Sequence, residues 1–177
     1  MKESPDTLNS QAIELASRGE YTEAIACFKR ALTMANKNYL LWYNLGITYR
    51  DAGKLHQAKN AIIAAYNLAP NNEDILETLS HICYLLEDYD EASYYIDTGI
   101  EINYLNPRFW NNKGVIFFAK GDYNEACESF ENAVTIDPNY YDALYNLRDT
   151  YEQLGNKNGA KECNFRLKTI SHGESYA

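Results

Sequence analysis

No apolar run in this sequence is long enough to cross a bilayer. The longest, such as residues 61–66 and 115–119, fall far short of the roughly 20 residues that a spanning helix needs. The first ten residues, MKESPDTLNS, hold no basic stretch followed by an apolar one, so no secretory signal is expected and a cytoplasmic protein is. Basic side chains are also scarce. Sixteen Lys and Arg stand against 25 Asp and Glu, a formal charge of −9. Nucleic acid and anionic membrane both need clustered Lys and Arg, so neither nucleic-acid binding nor membrane insertion is expected. The acid excess serves solubility or suits a basic partner.

Chemistry-bearing patterns are missing as well. The four cysteines, Cys27, Cys83, Cys127 and Cys163, show no CxxC spacing and fall inside expected helices, where they act as small reduced apolar residues. His56, His81 and His172 lie in different segments at no ligand spacing. There is no HExxH, GxSxG, GxxxxGK[ST] or GxGxxG. No enzyme, metal or cofactor is expected. No Gly/Ser-rich or Pro-rich linker divides the chain, so one domain over residues 1–177 is expected.

What the sequence has is a period. Trp42 and Trp110 lie two 34-residue steps apart, as do Gly46 and Gly114, Gly53 and Gly121, and Pro70 and Pro138. One alanine falls in every step: Ala24, Ala58, Ala92, Ala126 and Ala160. A fixed period of this length marks a solenoid of stacked repeats, each unable to bury its apolar face alone. Within a step, Trp42, Leu45, Gly46 and Tyr49 recur at i, i+3, i+4 and i+7 and share one helical face. Gly46 has no side chain and Ala58 on the following helix almost none. Two helix axes can therefore approach, with the Trp and Tyr filling the space beside them. Gly53 ends the first helix of the pair, and Pro70-Asn71-Asn72 ends the second.

Trp42, Leu45, Gly46, Tyr49, Ala58, Ala65 and Pro70 stand where the tetratricopeptide repeat (TPR) places its Trp, Leu, Gly, Tyr, Ala, Ala and Pro, and only Ile62 departs, replacing Phe. A second copy has Trp110, Gly114, Ala126, Phe130, Ala133 and Pro138, with Phe117 for the aromatic and Lys113 for Leu. The chain thus resembles a TPR protein over nearly its whole length, in five units: 5–38, 39–72, 73–106, 107–140 and 141–174. The resemblance implies an all-α fold, a right-handed α-solenoid of antiparallel helix pairs (the TPR superhelix).

Three units depart from the pattern. In 5–38, Leu8, Gln11 and Ala12 replace Trp, Leu and Gly, as suits a capping helix with no neighbour on one side, and Ser4-Pro5-Asp6 makes a helix start. In 73–106, Leu76 stands for Trp, Ser80 for Gly, Gly99 for Ala and Tyr104 for Pro, and a glycine within a helix costs about 1 kcal/mol against alanine. This unit is expected to be the softest point. In 141–174 the last helix turns polar, leaving a stripe through Ala160, Cys163 and Leu167, as a C-terminal cap does, and His172 to Ala177 is expected to fray.

By the resemblance, the face of each first helix opposite its packing stripe lines a concave groove. That face holds Leu40, Tyr43, Asn44 and Ile47, then Asp74, Glu77, Thr78, His81 and Tyr84. It continues with Arg108, Asn111, Asn112, Val115 and Phe118, then Asp142, Tyr145, Asn146 and Asp149. The apolar members either bind a partner or are buried by a narrow groove. Asn44, Asn112 and Asn146 share one place in their units. In similar proteins, asparagines there bind the backbone of an extended peptide; alternatively, Asn is simply common at that place. His81 and Glu77 form an i, i+4 pair, for which a surface hydrogen bond is expected. A non-enzymatic adaptor that holds an apolar, basic protein or peptide segment in the groove is the leading reading. The alternative is a scaffold that assembles with itself through its ends or convex face.

Overall fold

The computed structural model describes residues 3–173. Among them are ten helices and no strand, in the order α1 (Pro5–Ser17), α2 (Tyr21–Met34), α3 (Tyr39–Asp51), α4 (Leu55–Leu68), α5 (Glu73–Leu85), α6 (Tyr89–Ile102), α7 (Pro107–Lys120), α8 (Tyr123–Ile136), α9 (Tyr141–Gln153) and α10 (Lys157–Gly173). The all-α architecture of helix pairs expected from the 34-residue period is what the chain forms. The helix α10 continues through Gly173, and the rest of the stretch expected to fray, 174–177, lies outside the described residues. Among the described residues, no helix is long and apolar enough to cross a membrane.

The chain divides into two compact units, Met1–Asp88 and Tyr89–Ala177. The first holds α1 to α5 and the second α6 to α10, so the division falls inside the third repeat. Within the first unit α1 packs on α2, α3 on α4, and both α2–α3 and α4–α5 join neighbouring repeats. Within the second, α7 packs on α8 and α9 on α10, while α6–α7 and α8–α9 make the equivalent joints.

Local sequence explains where the helices begin and end. Ser4 caps α1 in a capping box with Thr7, and Pro5 follows at the first helical position. Asn38, Asn72 and Asn106, one period apart, each accept a backbone N–H in the first turn of α3, α5 and α7, at 3.0, 3.1 and 3.0 Å. Each tryptophan pins the loop before it: Trp42 Nε1 donates to the Asn36 carbonyl and Trp110 Nε1 to the Tyr104 carbonyl, both at 2.8 Å. This hydrogen bond gives the indole a partner while its rings pack against apolar neighbours.

The turn within each repeat needs a left-handed residue. Gly19, Gly53, Gly121 and Gly155 supply it with φ between 72° and 84°, but the third repeat has Glu87 there, at φ 61°. The hydrogen bonds are otherwise those of its neighbours, with Asp88 N–H donating to the Cys83 carbonyl at 2.9 Å as Lys54 N–H donates to Tyr49 at 2.8 Å. A side chain in this region crowds the backbone, so Glu87 carries strain that the glycines avoid.

Gly99 is a different matter. A Cβ added there would lie 2.6 Å from the ring of Phe109, which is fully buried. The helical glycine that looked like a weakness is the space that Phe109 of α7 fills, and burying a phenylalanine outweighs a loss of about 1 kcal/mol in helix propensity. Leu8 and Ala12 are buried and Gln11 is exposed, while Ala160, Cys163 and Leu167 form the buried stripe of α10.

Two stability predictions separate these features. Glu87→Gly raises stability by about 1 kcal/mol in urea unfolding, because it relieves the left-handed strain; an unchanged midpoint would refute that strain. Gly99→Ala lowers stability by roughly 1–3 kcal/mol despite alanine's better helix propensity, because the methyl overpacks Phe109. Pairing it with Phe109→Leu recovers part of the loss, and a stabilised Gly99→Ala protein would contradict the account.

Candidate functional site

The residues singled out on the first-helix faces fall into two sets. Tyr43, Asn44 and Ile47 lie on α3 and Glu77, His81 and Tyr84 on α5, all in the first unit. Arg108, Asn111, Asn112 and Val115 lie on α7 and Tyr145, Asn146 and Asp149 on α9, all in the second.

Within each unit the faces are tied together by side-chain hydrogen bonds one period plus one residue apart. Asn44 Nδ2 donates to Asn9 Oδ1 at 3.0 Å, joining α3 to α1. The Tyr43 and Thr78 hydroxyls share a 3.2 Å bond, joining α3 to α5. In the second unit Asn146 Nδ2 donates to Asn111 Oδ1 at 3.0 Å, and Asn111 Nδ2 donates to Asn112 Oδ1 at 3.4 Å. The three bonds 35 residues apart hold consecutive first helices in register, while Asn111 and Asn112 bond within α7. Each ladder bond uses one of an amide's two hydrogens, so Asn44 and Asn146 keep an acceptor oxygen and one donor. The backbone carbonyls of the same two residues accept from Thr48 and Thr150, at 2.8 and 2.7 Å, which fills the two buried hydroxyl positions of α3 and α9. Asn9 and Asn111 are the partners that sequence reasoning underrated, although their 35-residue offset from Asn44 and Asn146 was there to be seen.

The apolar residues of the faces divide. Val115 and Phe118 are half-buried and pack on the cluster of Phe130, Leu144 and Leu147, so the fold itself accounts for them. Phe118 also meets Tyr123 edge-to-face at 5.1 Å. Leu40, Ile13 and Tyr145 remain 49%, 48% and 44% exposed. In the first unit Ile13 and Ile47 border a cleft of about 260 Å³ between α1 and α3, with Phe28 at its base and Asp51 at its edge.

Charge is less one-sided than the acid count suggests. Arg50 bonds Asp51 at 2.8 Å, and Arg148 bonds Asp149 at 2.6 Å while stacking on the Tyr145 ring at 4.0 Å. Two face carboxylates are therefore already paired, and Arg148 stands where other repeats have Gly46 and Gly114. At His81, burial lowers the imidazole pKa first and the Arg50 charge lowers it further, against an opposing pull from Glu77. The lowering favours the neutral imidazole, and Glu77 acts on it through charge.

Among the described residues, no group of His, Cys, Asp and Glu is placed to hold a metal ion. The Cys127 thiol is pushed up to about 12, chiefly by burial and then by the neighbouring Glu131 carboxylate, so it is not a nucleophile at neutral pH.

A double-mutant cycle tests the ladder. Asn146→Ala and Asn111→Ala should each destabilise the protein, with a coupling of about 1 kcal/mol in urea unfolding. Strictly additive effects would mean that the 3.0 Å contact contributes nothing.

Comparison with known proteins agrees with the repeat architecture. The family models described as TPR repeat and tetratricopeptide repeat match residues 13–53 and 114–155, and residues 39–72, respectively. The TPR repeat-containing protein MJ1428 of Methanocaldococcus jannaschii is 27% identical over 147 residues, covering 77% of this chain and 26% of that protein. Anaphase-promoting complex subunit 3 of Schizosaccharomyces pombe is 23% identical, covering 84% of this chain and 22% of its own length. The chain thus spans about a quarter of the curated relatives it matches. Among solved structures, MamA from Desulfovibrio magneticus RS-1 superposes with a TM-score of 0.85 at 15% identity, covering 98% of both chains. YrrB, described as a TPR protein with an unusual peptide-binding site, has a TM-score of 0.71 at 24% identity, covering 92% of this chain and 84% of its own. With the period, the helix pairs and these matches together, this chain belongs to the tetratricopeptide-repeat family.

Proposed function

We propose that this protein is a non-enzymatic adaptor whose first-helix faces form a groove for an extended segment of a partner protein. The observation that carries the reading is the pairing of exposed apolar side chains with ladder amides on the same faces. Leu40 and Ile13 lie on the faces that carry Asn44 and Asn9, and Tyr145 lies beside Asn146. The amides offer donor and acceptor to a peptide backbone without reading its side chains, and the apolar residues supply area to bury. The description of YrrB as peptide-binding and the naming of relatives as subunits of the anaphase-promoting complex and the BBSome support a protein partner.

The segment is apolar with basic residues. Asp74, Glu77, Asp142, Asp149 and Glu152 make the first-helix faces acidic, so attraction weakens as salt screens it. That all five repeats work as one array over residues 1–177 belongs to the same proposal and rests on the unbroken 34-residue register.

Random peptides displayed on phage and selected on the immobilised protein at low salt test this reading. Enriched sequences should combine apolar and basic residues. Their affinity should fall with added salt and drop about tenfold or more on Ile13→Ser with Leu40→Ser, or on Tyr145→Ser, with helicity unchanged. These positions avoid the ladder, so loss of binding is not loss of register. Acidic consensus sequences, or binding indifferent to all three substitutions, would sink the groove.

A further inference from the structure

The second-helix side of the first unit carries a different kind of site. Between α2, α3 and α4 lies an open cleft of about 420 Å³. Leu32, Trp42, Leu45 and Tyr49 form its apolar walls, and Lys29 is its only charged lining residue, with Nζ 5.9 Å from the centre of the Tyr49 ring. An apolar cleft with one cation at its lip and no acid suits an aromatic side chain with carboxylates beside it.

The chain repeats this cleft three periods later with the opposite chemistry. Residues 102 positions on, Glu131, Val134, Leu147 and Tyr151, line a cleft of about 270 Å³ in the second unit. There Glu131 stands in the place of Lys29, and the Tyr151 hydroxyl donates to it at 2.6 Å. Glu162 and Arg166 line the same cleft, so its acids outnumber its one base. An acid-flanked aromatic that suits the first cleft is disfavoured at the second, where two carboxylates face one guanidinium.

The chain also carries a matching knob. Tyr94 on α6 is 58% exposed, in a helix with no Lys or Arg. Its helical neighbours at i−4, i−3, i+3 and i+7 are Asp90, Glu91, Asp97 and Glu101. Lys120 and Lys113 of α7 bond Asp90 and Asp97 at 3.2 and 2.7 Å, so carboxylates outnumber ammonium groups on this face without being alone. The asymmetry extends along the second helices. In α2 and α4 three bases stand against one acid, whereas α6 and α8 hold seven acids and no base.

We propose that this face docks a second copy of the same chain, with Tyr94 of one molecule entering the Trp42 cleft of another and the α6 carboxylates meeting Lys29. The contact joins two different patches: made twice about a two-fold axis it closes a dimer, and made head to tail it extends. It uses neither the ladder amides nor the groove residues and stands independently of the proposed groove.

Sedimentation equilibrium of the purified chain tests it, with two variants at exposed positions. Wild type should gain mass with concentration and lose it with added salt. Tyr94→Ala removes the knob and leaves the cleft. Lys29→Glu copies the second cleft and leaves the knob. Each variant alone should associate about tenfold or more weakly than wild type, and an equimolar mixture should regain heteromeric association. The complementation separates lost contact from lost folding. A wild type that stays monomeric at every concentration and salt, single variants that associate as wild type does, or a mixture that fails to complement would each overturn the proposal.

Discussion

The structure depends on bringing helix axes closer than two ordinary side chains permit. At each tight point one partner gives up its side chain and the other fills the space. A Cβ on Gly46 would lie 2.3 Å from Ile62 Cδ1, and one on Gly99 or Gly114 would lie 2.6 Å from the ring of Phe109 or Phe130. Real Cβ contacts do not come so close. The alanines that recur in the second helices, Ala24, Ala58, Ala92 and Ala126, are fully buried, and Ala160 is buried too. Interiors packed to crystal density respond to one methylene, so this constraint is sharp. The capping asparagines, the pinned loops and the shared faces of the first helices follow once the axes are held at that distance.

The same constraint clarifies the least regular repeat. Read residue by residue, residues 73–106 have lost the family's Trp, Gly, Ala and Pro. Two of the departures have opposite meanings in the structure. Gly99 is a volume exchange with Phe109, invisible in a helix-propensity scale because its partner lies in the next repeat. Glu87 has no such compensation, since a side chain at φ 61° is strained by its own backbone. The division between the two units falls immediately after it, at Asp88 and Tyr89.

The ladder changes how the asparagines are read. A polar residue repeated on an exposed helix face invites a ligand-binding interpretation, yet one hydrogen of Asn44 and one of Asn146 are committed to Asn9 and Asn111. These residues position consecutive first helices, and any partner they bind meets amides already oriented. Preorganisation of this kind lowers the entropy cost of recognition. Leu40 and Ile13, in contrast, have no such internal occupation and remain about half exposed.

By itself the sequence determined the helices, their pairing and the family. Those follow from a 34-residue period and from residue sizes at fixed offsets, which are local properties of the chain. It also marked the two faces of each repeat, because helical periodicity assigns every residue to one. Tertiary structure alone decided how those faces are used. It half-buried Val115 and Phe118 while leaving Leu40 out, paired Asp149 with Arg148, and opened one cleft at Trp42 while bonding Tyr151 to Glu131 in its counterpart. Each of these depends on which side chain of a neighbouring helix arrives opposite, a distance and an angle that no single repeat contains.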